Sequence, residues 1–479
     1  MLDVLIIGCG ITGAATAFEL SKYRLKVAML DRDNDVAMGA TKANSAILHA
    51  GYDPIPGSLM AKLNVRGVEL AKEICQMLDV PYNPCGSLVL GLSEEDRPML
   101  CELLRRGREN GVPGLRLLSG EEARAMEPNL SENVVSALYA PSAAICSPWE
   151  YCLALAETAV RNGVQLHLET AVTGFKKGET GWTVHTSRGD FSARFVLNAA
   201  GVDAAIVHDM AAPHAFDISP SRGQYYLLDK SEGGRVSRVI FQTPGKDGKG
   251  VLVAPTVHGN LIVGPDAQPV DGNDTATTAE GLAFSRNTAL KSVPSIDFRA
   301  SIRNFAGVRA KAGEDFIIAE ADGASGFFDL AGISSPGLSS APAIAECAVQ
   351  LLQDAGLPLE KKDAFICERH RTRFKALSPE ARAALVAQEP EYGRVICRCE
   401  TVTEGEILEA LRSPIPPRSV DGVKRRVNAG MGRCQGGFCG PRVVELLARE
   451  LGVTPGDIVQ DQAGSYLLAE ETKGGANRG

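Results

Sequence analysis

At 479 residues the chain exceeds what one hydrophobic core supports, so two or three domains are expected. An apolar content of 44% with 23% charged residues is that of an ordinary globular protein and excludes a disordered or fibrous chain. A formal net charge of −8 without a basic run excludes an electrostatic footprint for nucleic acid or an anionic membrane. No stretch approaches the about 20 apolar residues that span a bilayer, so direct membrane insertion is not expected. The opening run Val4-Leu5-Ile6-Ile7 has no basic residue before it and is cut short by Gly8-Cys9-Gly10, unlike a secretion signal. A cytoplasmic location is expected, with any membrane association supplied by partners.

In chain order, Leu2 to Ile7 predicts a buried strand, Gly8-Cys9-Gly10-Ile11-Thr12-Gly13 a turn, Ala14 to Ser21 a helix, and Leu25 to Leu30 a second strand ending at Asp31. Within this βαβ unit, Gly8 permits the tight turn, Gly10 lets the backbone approach a pyrophosphate, and Gly13 allows close helix–strand packing. The pyrophosphate then lies at a helix N-terminus, where free N–H groups and the macrodipole favour negative charge. Asp31, eighteen residues after Gly13, stands where a carboxylate can accept from ribose hydroxyls. A dinucleotide is therefore expected on Gly8, Gly10, Ile11, Thr12, Gly13, Asp31 and Arg32.

Amphipathic helices are predicted around 61–78, 94–110 and 148–162, with β-rich stretches over 165–201 and 222–264. His258 precedes Gly259-Asn260 and reads as a hairpin residue. An Ala-rich helix is predicted over 341–355. A polar, arginine-rich linker over 368–391 carries a short helix at 379–388. A polar, Gly-rich tail from Glu471 is expected to lack fixed structure.

Eight of the 12 cysteines are scattered singly. The other four form Cys397-x-Cys399-x34-Cys434-x4-Cys439, a local cluster that reads as metal binding. Thr403 and Glu406 suit a capping box after the first pair, and Pro441 suits the first turn of a helix after the second. Both pairs would then sit at helix N-termini, which favours an anionic centre. Four cysteines suit either a [2Fe–2S] cluster or a structural zinc ion.

Several segments resemble the D-amino-acid-oxidase-like flavoprotein superfamily. Phe195-Val-Leu-Asn-Ala-Ala-Gly201 resembles its second adenosine-side contact. Gly307-Val308-Arg309 and Ala331-Gly-Ile-Ser-Ser-Pro-Gly337-Leu338 resemble the segments flanking its isoalloxazine ring. Thr41-Lys-Ala-Asn44-Ser45-Ala-Ile-Leu-His49 looks like the flavin-contacting segment of glycerol-3-phosphate and L-2-hydroxyglutarate dehydrogenases. The resemblance implies non-covalent FAD, with Val172, Ala200, Gly201, Thr41, Asn44, Ser45, His49, Arg309, Gly337, Leu338 and Ser339 joining the cofactor site. It implies Arg309 as the clamp for an anionic substrate, since guanidinium matches carboxylate or phosphate bidentately. Arg222 is a weaker candidate for the active-site edge. His49 reads as a flavin neighbour with a catalytic role or as a structural histidine. Residues from Arg394 to Leu451 resemble the bacterioferritin-associated-ferredoxin-like domain, including Val427-Asn-Ala-Gly430-Met-Gly432, which implies the [2Fe–2S] cluster.

The whole layout resembles the FAD-carrying subunits of anaerobic glycerol-3-phosphate dehydrogenases. The implied fold is α/β: a Rossmann-like FAD domain (1–80, 146–215, 301–365) and a β-sheet substrate domain (81–145, 216–300). A linker (366–393), a small helical [2Fe–2S] domain (394–455) and a tail (456–479) complete it. The implied reaction is oxidation of sn-glycerol 3-phosphate to dihydroxyacetone phosphate. Electrons would pass through the cluster to a second flavoprotein and small electron-transfer subunits. Alternatives are an L-2-hydroxyglutarate dehydrogenase, an opine, hydroxyproline or amine dehydrogenase subunit, and a non-catalytic electron-transfer subunit.

Protein purified anaerobically is accordingly expected to carry acid-releasable FAD and about two irons per chain. Yellow colour retained by the acid precipitate, or one zinc without labile sulfide, would contradict these expectations in turn.

Overall fold

The computed structural model describes residues 1–244 and 250–469; the tail from Glu471 lies outside the described residues. The chain forms two compact units, one of Met1–Leu30 with Ala37–Arg369, the other of Asp31–Val36 with the chain from His370 onward.

The first unit is built on two large sheets. In the first, Leu2–Ile7 lies centrally, with Val4 to Ile7 in parallel register with Val27 to Leu30 on one side and Phe195 to Asn198 on the other. Val172–Lys177, Trp182–Thr186 and Phe191–Asn198 precede it in the sheet order, and Gln165–His167 closes the far edge. Its central strands are near-continuous apolar runs because parallel strands are covered on both faces. The helix Ile11–Leu20 is buried everywhere except Glu19. Gly13, Ala14, Ala15 and Ala17 keep it slim enough to pack between the helices Pro148–Arg161 and Gly337–Asp354.

The second, nine-stranded sheet separates two cores by simple alternation. Val89, Leu138, Tyr225, Phe241 and Ile262 face one way, against Leu100 and Leu103 of the helix Arg97–Glu109. Leu88, Leu90, Ala137, Ile240 and Val263 face the other, against Ala289 of the helix Ala279–Ser292. The long strands Ser219–Leu228 and Ser301–Lys311 pair antiparallel, with Ser221 opposite Arg309 and Gly223 opposite Gly307.

The predicted helices appear at Leu59–Met77, Arg97–Glu109 and Pro148–Arg161, and the short one at Pro379–Gln388. The Ala-rich helix begins at Gly337, four residues before its Ala-rich run. Gly and Ser are weak helix formers, and tertiary packing overrides that preference: Ser339 and Ser340 are fully buried, and Gly67 passes against the Ser339 carbonyl.

In the second unit, the helices Glu404–Leu411, Val420–Val427 and Gly440–Leu451 surround a core of Ile407, Val423 and Leu447. The expected capping box is present: Glu406 N–H donates to Thr403 Oγ1 at 3.3 Å, and Thr403 N–H donates to Glu406 Oε2 at 2.8 Å. Pro441 occupies the first turn of the last helix. Asp35 accepts from Arg426 at 2.8 Å through both of its oxygens and from Arg425 at 3.2 Å, all three buried. Burial pushes the Asp35 carboxyl up, but Arg426 and Arg425 outweigh it and hold it below the usual carboxylate range.

Removing one member of such a buried pair costs about 3–5 kcal/mol, because the other charge stays buried. Asp35→Ala should therefore lower the thermal midpoint of the second unit at neutral pH. In the wild-type protein the carboxylate contributes fully above the unfolded value of about 3.9. That contribution is lost as pH falls through the lower folded value, so melts of the two proteins should converge in strong acid. A constant gap between them across the acid range would contradict this assignment.

Candidate functional site

The carboxyl ends of the central parallel strands carry the Gly8–Gly13 turn, the candidate nucleotide cradle. Gly8 N–H donates to the Leu30 carbonyl at 2.8 Å, which brings the ends of the first two strands together. Gly8 has φ +99°, and a methyl there would stand 2.3 Å from the Ala199 carbonyl oxygen. A methyl on Gly13 would stand 1.9 Å from the Gly8 carbonyl oxygen. Gly10 caps the helix without a side-chain acceptor, and its first turn carries no acid. Ile11 N–H donates to Thr41 Oγ1 at 3.0 Å. The result is a helix N-terminus with open main-chain donors beside Gly10, which fits a pyrophosphate. Val172 and Ala200 pack against the cluster containing Ile7 and Leu30, and Gly201 opens a short turn just after the strand Phe191–Asn198. Asp31 directly follows Leu30 and accepts from Asp33 N–H at 3.0 Å; it and Arg32 belong to the second unit.

A second group of residues converges around His49. Its N–H donates to Ser339 Oγ at 2.7 Å, and its carbonyl accepts from the Asn64 amide at 2.5 Å. His49 Nε2 and Ser335 Oγ lie 3.4 Å apart, and the imidazole stacks on Phe241 with centroids 5.7 Å apart. The segment leading to it is shaped by Asn44, whose amide donates to the carbonyls of Ala40 and Thr41 while its oxygen accepts from Ala46 N–H. Ser45 is half-buried beside it. This segment lies directly on the long strand: a methyl on Gly307 would meet the Ala43 carbonyl oxygen at 1.8 Å. Gly337 and Leu338 begin the helix that follows Ser335.

Two residues beyond Gly307, the Arg309 guanidinium crosses Gly223, where a methyl would meet it at 2.6 Å. It donates to the Tyr225 hydroxyl; burial raises the Tyr225 pKa, while the adjacent positive charge opposes that rise. Tyr225 stacks on Phe305 with centroids 4.9 Å apart. Among the described residues Arg309 makes no salt bridge, so its charge is available to an anion.

Arg222 is not part of this face. Alternation along the strand turns it away from Gly223 and Tyr225. Its guanidinium donates to Asp274 at 2.7 Å and Gln268 at 3.0 Å, a structural pairing. His258 lies in the turn between Leu252–Pro255 and Leu261–Gly264, stacked on Trp149 and 3.6 Å from Glu150. Tyr225, Ser335 and Phe241 were not singled out from the sequence. The period-two pattern of Arg222 to Tyr225 carried the signal for Tyr225, whereas Ser335 and Phe241 join only through tertiary folding.

In the second unit the four cysteines fall into two pairs. Cys399 and Cys434 Sγ atoms are 3.7 Å apart, and the Cys439 thiol donates to Cys397. That hydrogen bond, helped by the N–H groups of Gly430 and Glu400, lowers Cys397 to about 6 and keeps the proton on Cys439. The Phe438 N–H, with Cys399 and the Gly436 N–H, lowers Cys434. No third Cys, His, Asp or Glu joins either pair among the described residues. Two cysteine pairs with main-chain donors aimed at sulfur fit a two-iron cluster, which divides four cysteines between its irons.

Residues 3–351 match the model of the FAD dependent oxidoreductase family, and residues 395–449 match the BFD-like [2Fe-2S] binding domain. The chain belongs to the FAD dependent oxidoreductase family. This oxidoreductase is 48% identical over 476 residues to "Glycerol 3-phosphate dehydrogenase" of Caloramator mitchellensis, covering 99% of both chains. It is 34% identical to "Glycerol 3-phosphate oxidase" of Mycoplasma pneumoniae, over 73% of this chain and 94% of that one. Among solved structures it resembles L-alpha-glycerophosphate oxidase of Mycoplasma pneumoniae with FAD bound. The TM-score there is 0.73 and the identity 32%, over 78% of this chain and 99% of that one. The oxidoreductase binds FAD, and its C-terminal module is of the [2Fe–2S] type.

Gly8→Ala should remove FAD from this flavoprotein, because both the positive φ and the Ala199 carbonyl oppose a methyl. Flavin absorbance per folded chain should fall to near zero while the melt of the second unit persists. Full flavin content in this variant would show that the turn does not carry the cofactor.

Proposed function

We propose that this flavoprotein oxidises sn-glycerol 3-phosphate to dihydroxyacetone phosphate, and that the electrons leave through the cysteine cluster to partner proteins. The observation that carries the reading is the Arg309 guanidinium, braced by Tyr225 and, among the described residues, free of any carboxylate, on the face that also holds His49. The 48% identity over both full lengths to a protein named glycerol 3-phosphate dehydrogenase supports this choice of substrate.

FAD, when bound, supplies the acceptor for a hydride from the substrate's C2. The chain's own part is to hold and to deprotonate. Arg309 clamps the anionic end through two parallel hydrogen bonds, which fixes the distance from phosphate to the reacting carbon. His49 is the proposed acceptor of the hydroxyl proton, at Nε2, and its contacts with Ser335 Oγ and Phe241, which hold the ring plane, support that role. Loss of one hydride and one proton converts the secondary alcohol to the ketone. The uncapped N-terminus of the helix Gly337–Asp354 would lend its main-chain donors to FAD, where they would favour negative charge on the reduced ring. Second flavoprotein and small electron-transfer subunits are the proposed recipients, with the cluster as the one-electron carrier between.

A 2-hydroxy acid is the second reading. L-2-hydroxyglutarate dehydrogenase of Indibacter alkaliphilus is 31% identical over 55% of this chain, and Arg309 would serve a carboxylate equally well.

Removing one partner of a buried, hydrogen-bonded charge pair costs about 2–5 kcal/mol. Arg309→Ala should thus lower kcat/KM by roughly thirtyfold to several-thousandfold, with Arg309→Lys between it and wild type. FAD content should not change in either. Rapid mixing with glycerol 3-phosphate should bleach the wild-type flavin, whereas glycerol, which lacks the anion, should not. Bleaching by L-2-hydroxyglutarate instead would transfer the assignment to the second reading. No bleaching by either would favour an electron-transfer subunit.

A further inference from the structure

The loops that present the four cysteines also present an unusual surface. Phe438 is 85% exposed, more than any other large hydrophobic side chain among the described residues. Its main chain is committed, since the N–H donates to Cys434, but its ring makes no aromatic or cation–π contact there. Arg398 stands between Cys397 and Cys399, and Arg433 immediately precedes Cys434. Both are exposed, and among the described residues neither makes a salt bridge.

Neighbouring arginines behave differently. Arg394 pairs with Glu404, Arg412 with Glu450, Arg442 with Glu445, and Arg449 with both Glu404 and Glu450. Unlike these neighbours, Arg398 and Arg433 have no carboxylate partner among the described residues, and they flank the Cys399–Cys434 pair, where the sulfurs come within 3.7 Å. Cys399 is itself exposed, so an electron leaving there has no protein layer to cross.

We infer that Phe438, Arg398 and Arg433 form the docking surface for a small acidic one-electron carrier protein. The inference rests on the proposed exit of electrons through the cluster and names the partner's chemistry. An exposed aromatic ring on loops that also carry two unpaired arginines has the make-up of an interface centre: the ring supplies buried apolar area, and arginine supplies directional contacts to carboxylates. The sign of the partner follows from charge. The whole chain carries −8, which repels an acidic protein everywhere except where positive charge is concentrated and unpaired. Two free guanidiniums beside the cluster offset both that repulsion and the negative charge of the thiolates. They would orient an acidic carrier with its redox centre toward Cys399. The electron count is simple. Each substrate gives up two electrons and two protons; two carriers each take one electron in successive dockings, and both protons go to solvent.

The test uses the full-length protein with FAD and cluster in place, oxidised flavodoxin as the acidic probe, and cytochrome c as a basic one-electron control. Arg398→Glu/Arg433→Glu should weaken flavodoxin binding by about tenfold or more at low ionic strength. The deficit should close near about 0.5 M salt, as expected for screened charges. The same variant should reduce cytochrome c as fast as wild type or faster. Phe438→Ser should weaken flavodoxin binding at every ionic strength, because its term is apolar. Flavin bleaching by substrate and iron content should be unchanged in both variants. Flavodoxin affinity equal to wild type in both variants would overturn the surface. So would a charge-reversed protein whose cluster midpoint potential moves while its flavodoxin affinity does not, since the arginines would then serve the cluster alone. Cys434→Ser separates the two layers of inference. If it reduces flavodoxin and cytochrome c as fast as wild type, the exit through the cluster fails, whatever the surface binds.

Discussion

Everything in the first unit depends on main-chain segments approaching more closely than side chains would allow. The Ala199 carbonyl rests against Gly8, the Gly8 carbonyl against Gly13, and the Ala43 carbonyl against Gly307. The first two contacts bring the helix Ile11–Leu20 down onto the parallel sheet and leave its N-terminus open. Thr41 then ties that N-terminus to the next segment through Ile11. The third contact presses the same segment onto the strand that carries Arg309. The Gly8–Gly13 turn, His49 and Arg309 are thus three points on one connected run of backbone, and an error at one propagates to the others.

The second sheet performs a sorting operation. Because side chains alternate across a strand, neighbouring residues on Ser219–Leu228 enter different environments. Gly223 and Tyr225 support Arg309, while Arg222 and Gln224 enter a polar network with Asp266, Gln268, Asp274 and Thr278. Arg309 keeps its charge available, while Arg222, the neighbour of Gly223, has its charge neutralised by Asp274. The cysteines of the second unit show a comparable division, with Cys397 and Cys439 buried and Cys399 and Cys434 toward the surface.

The elements most legible from sequence were those governed by local chemistry. The Gly8–Gly13 turn, the Thr403–Glu406 capping box, Pro441 at a helix start and the spacing of the cysteines each involve residues close in the chain. Arg309 was singled out because Gly307-Val308-Arg309 resembles a segment of related flavoproteins, and Gly307 does make a close approach there. Legibility failed where distance in sequence entered. Phe241 and Ser335 meet His49 only because sheet order and the helix Gly337–Asp354 bring them there, and neither carries a local mark. Arg222 looked like an active-site edge because its neighbours suggest a strand start. Its partner Asp274, about fifty residues away, could not be read from that motif. The early start of the helix at Gly337 is the same kind of miss, since burial of Ser339 and Ser340 outweighs their own preferences.

The six residues Asp31–Val36 give the second unit an unusual ancestry. A module simply appended to the end of a flavoprotein would be self-sufficient, and could be moved between chains as a cassette. Here the carboxylate that neutralises Arg425 and Arg426 comes from the opposite end of the polypeptide, nearly four hundred residues away. Residues 370–469 transplanted alone would carry buried Arg426 without its counter-charge, and Arg425 with Asp461 as its remaining carboxylate partner among the described residues. The ferredoxin-like portion and the flavoprotein portion are therefore bound to evolve as a pair: a lineage can replace one only by also rewriting Asp35 or both arginines in the other.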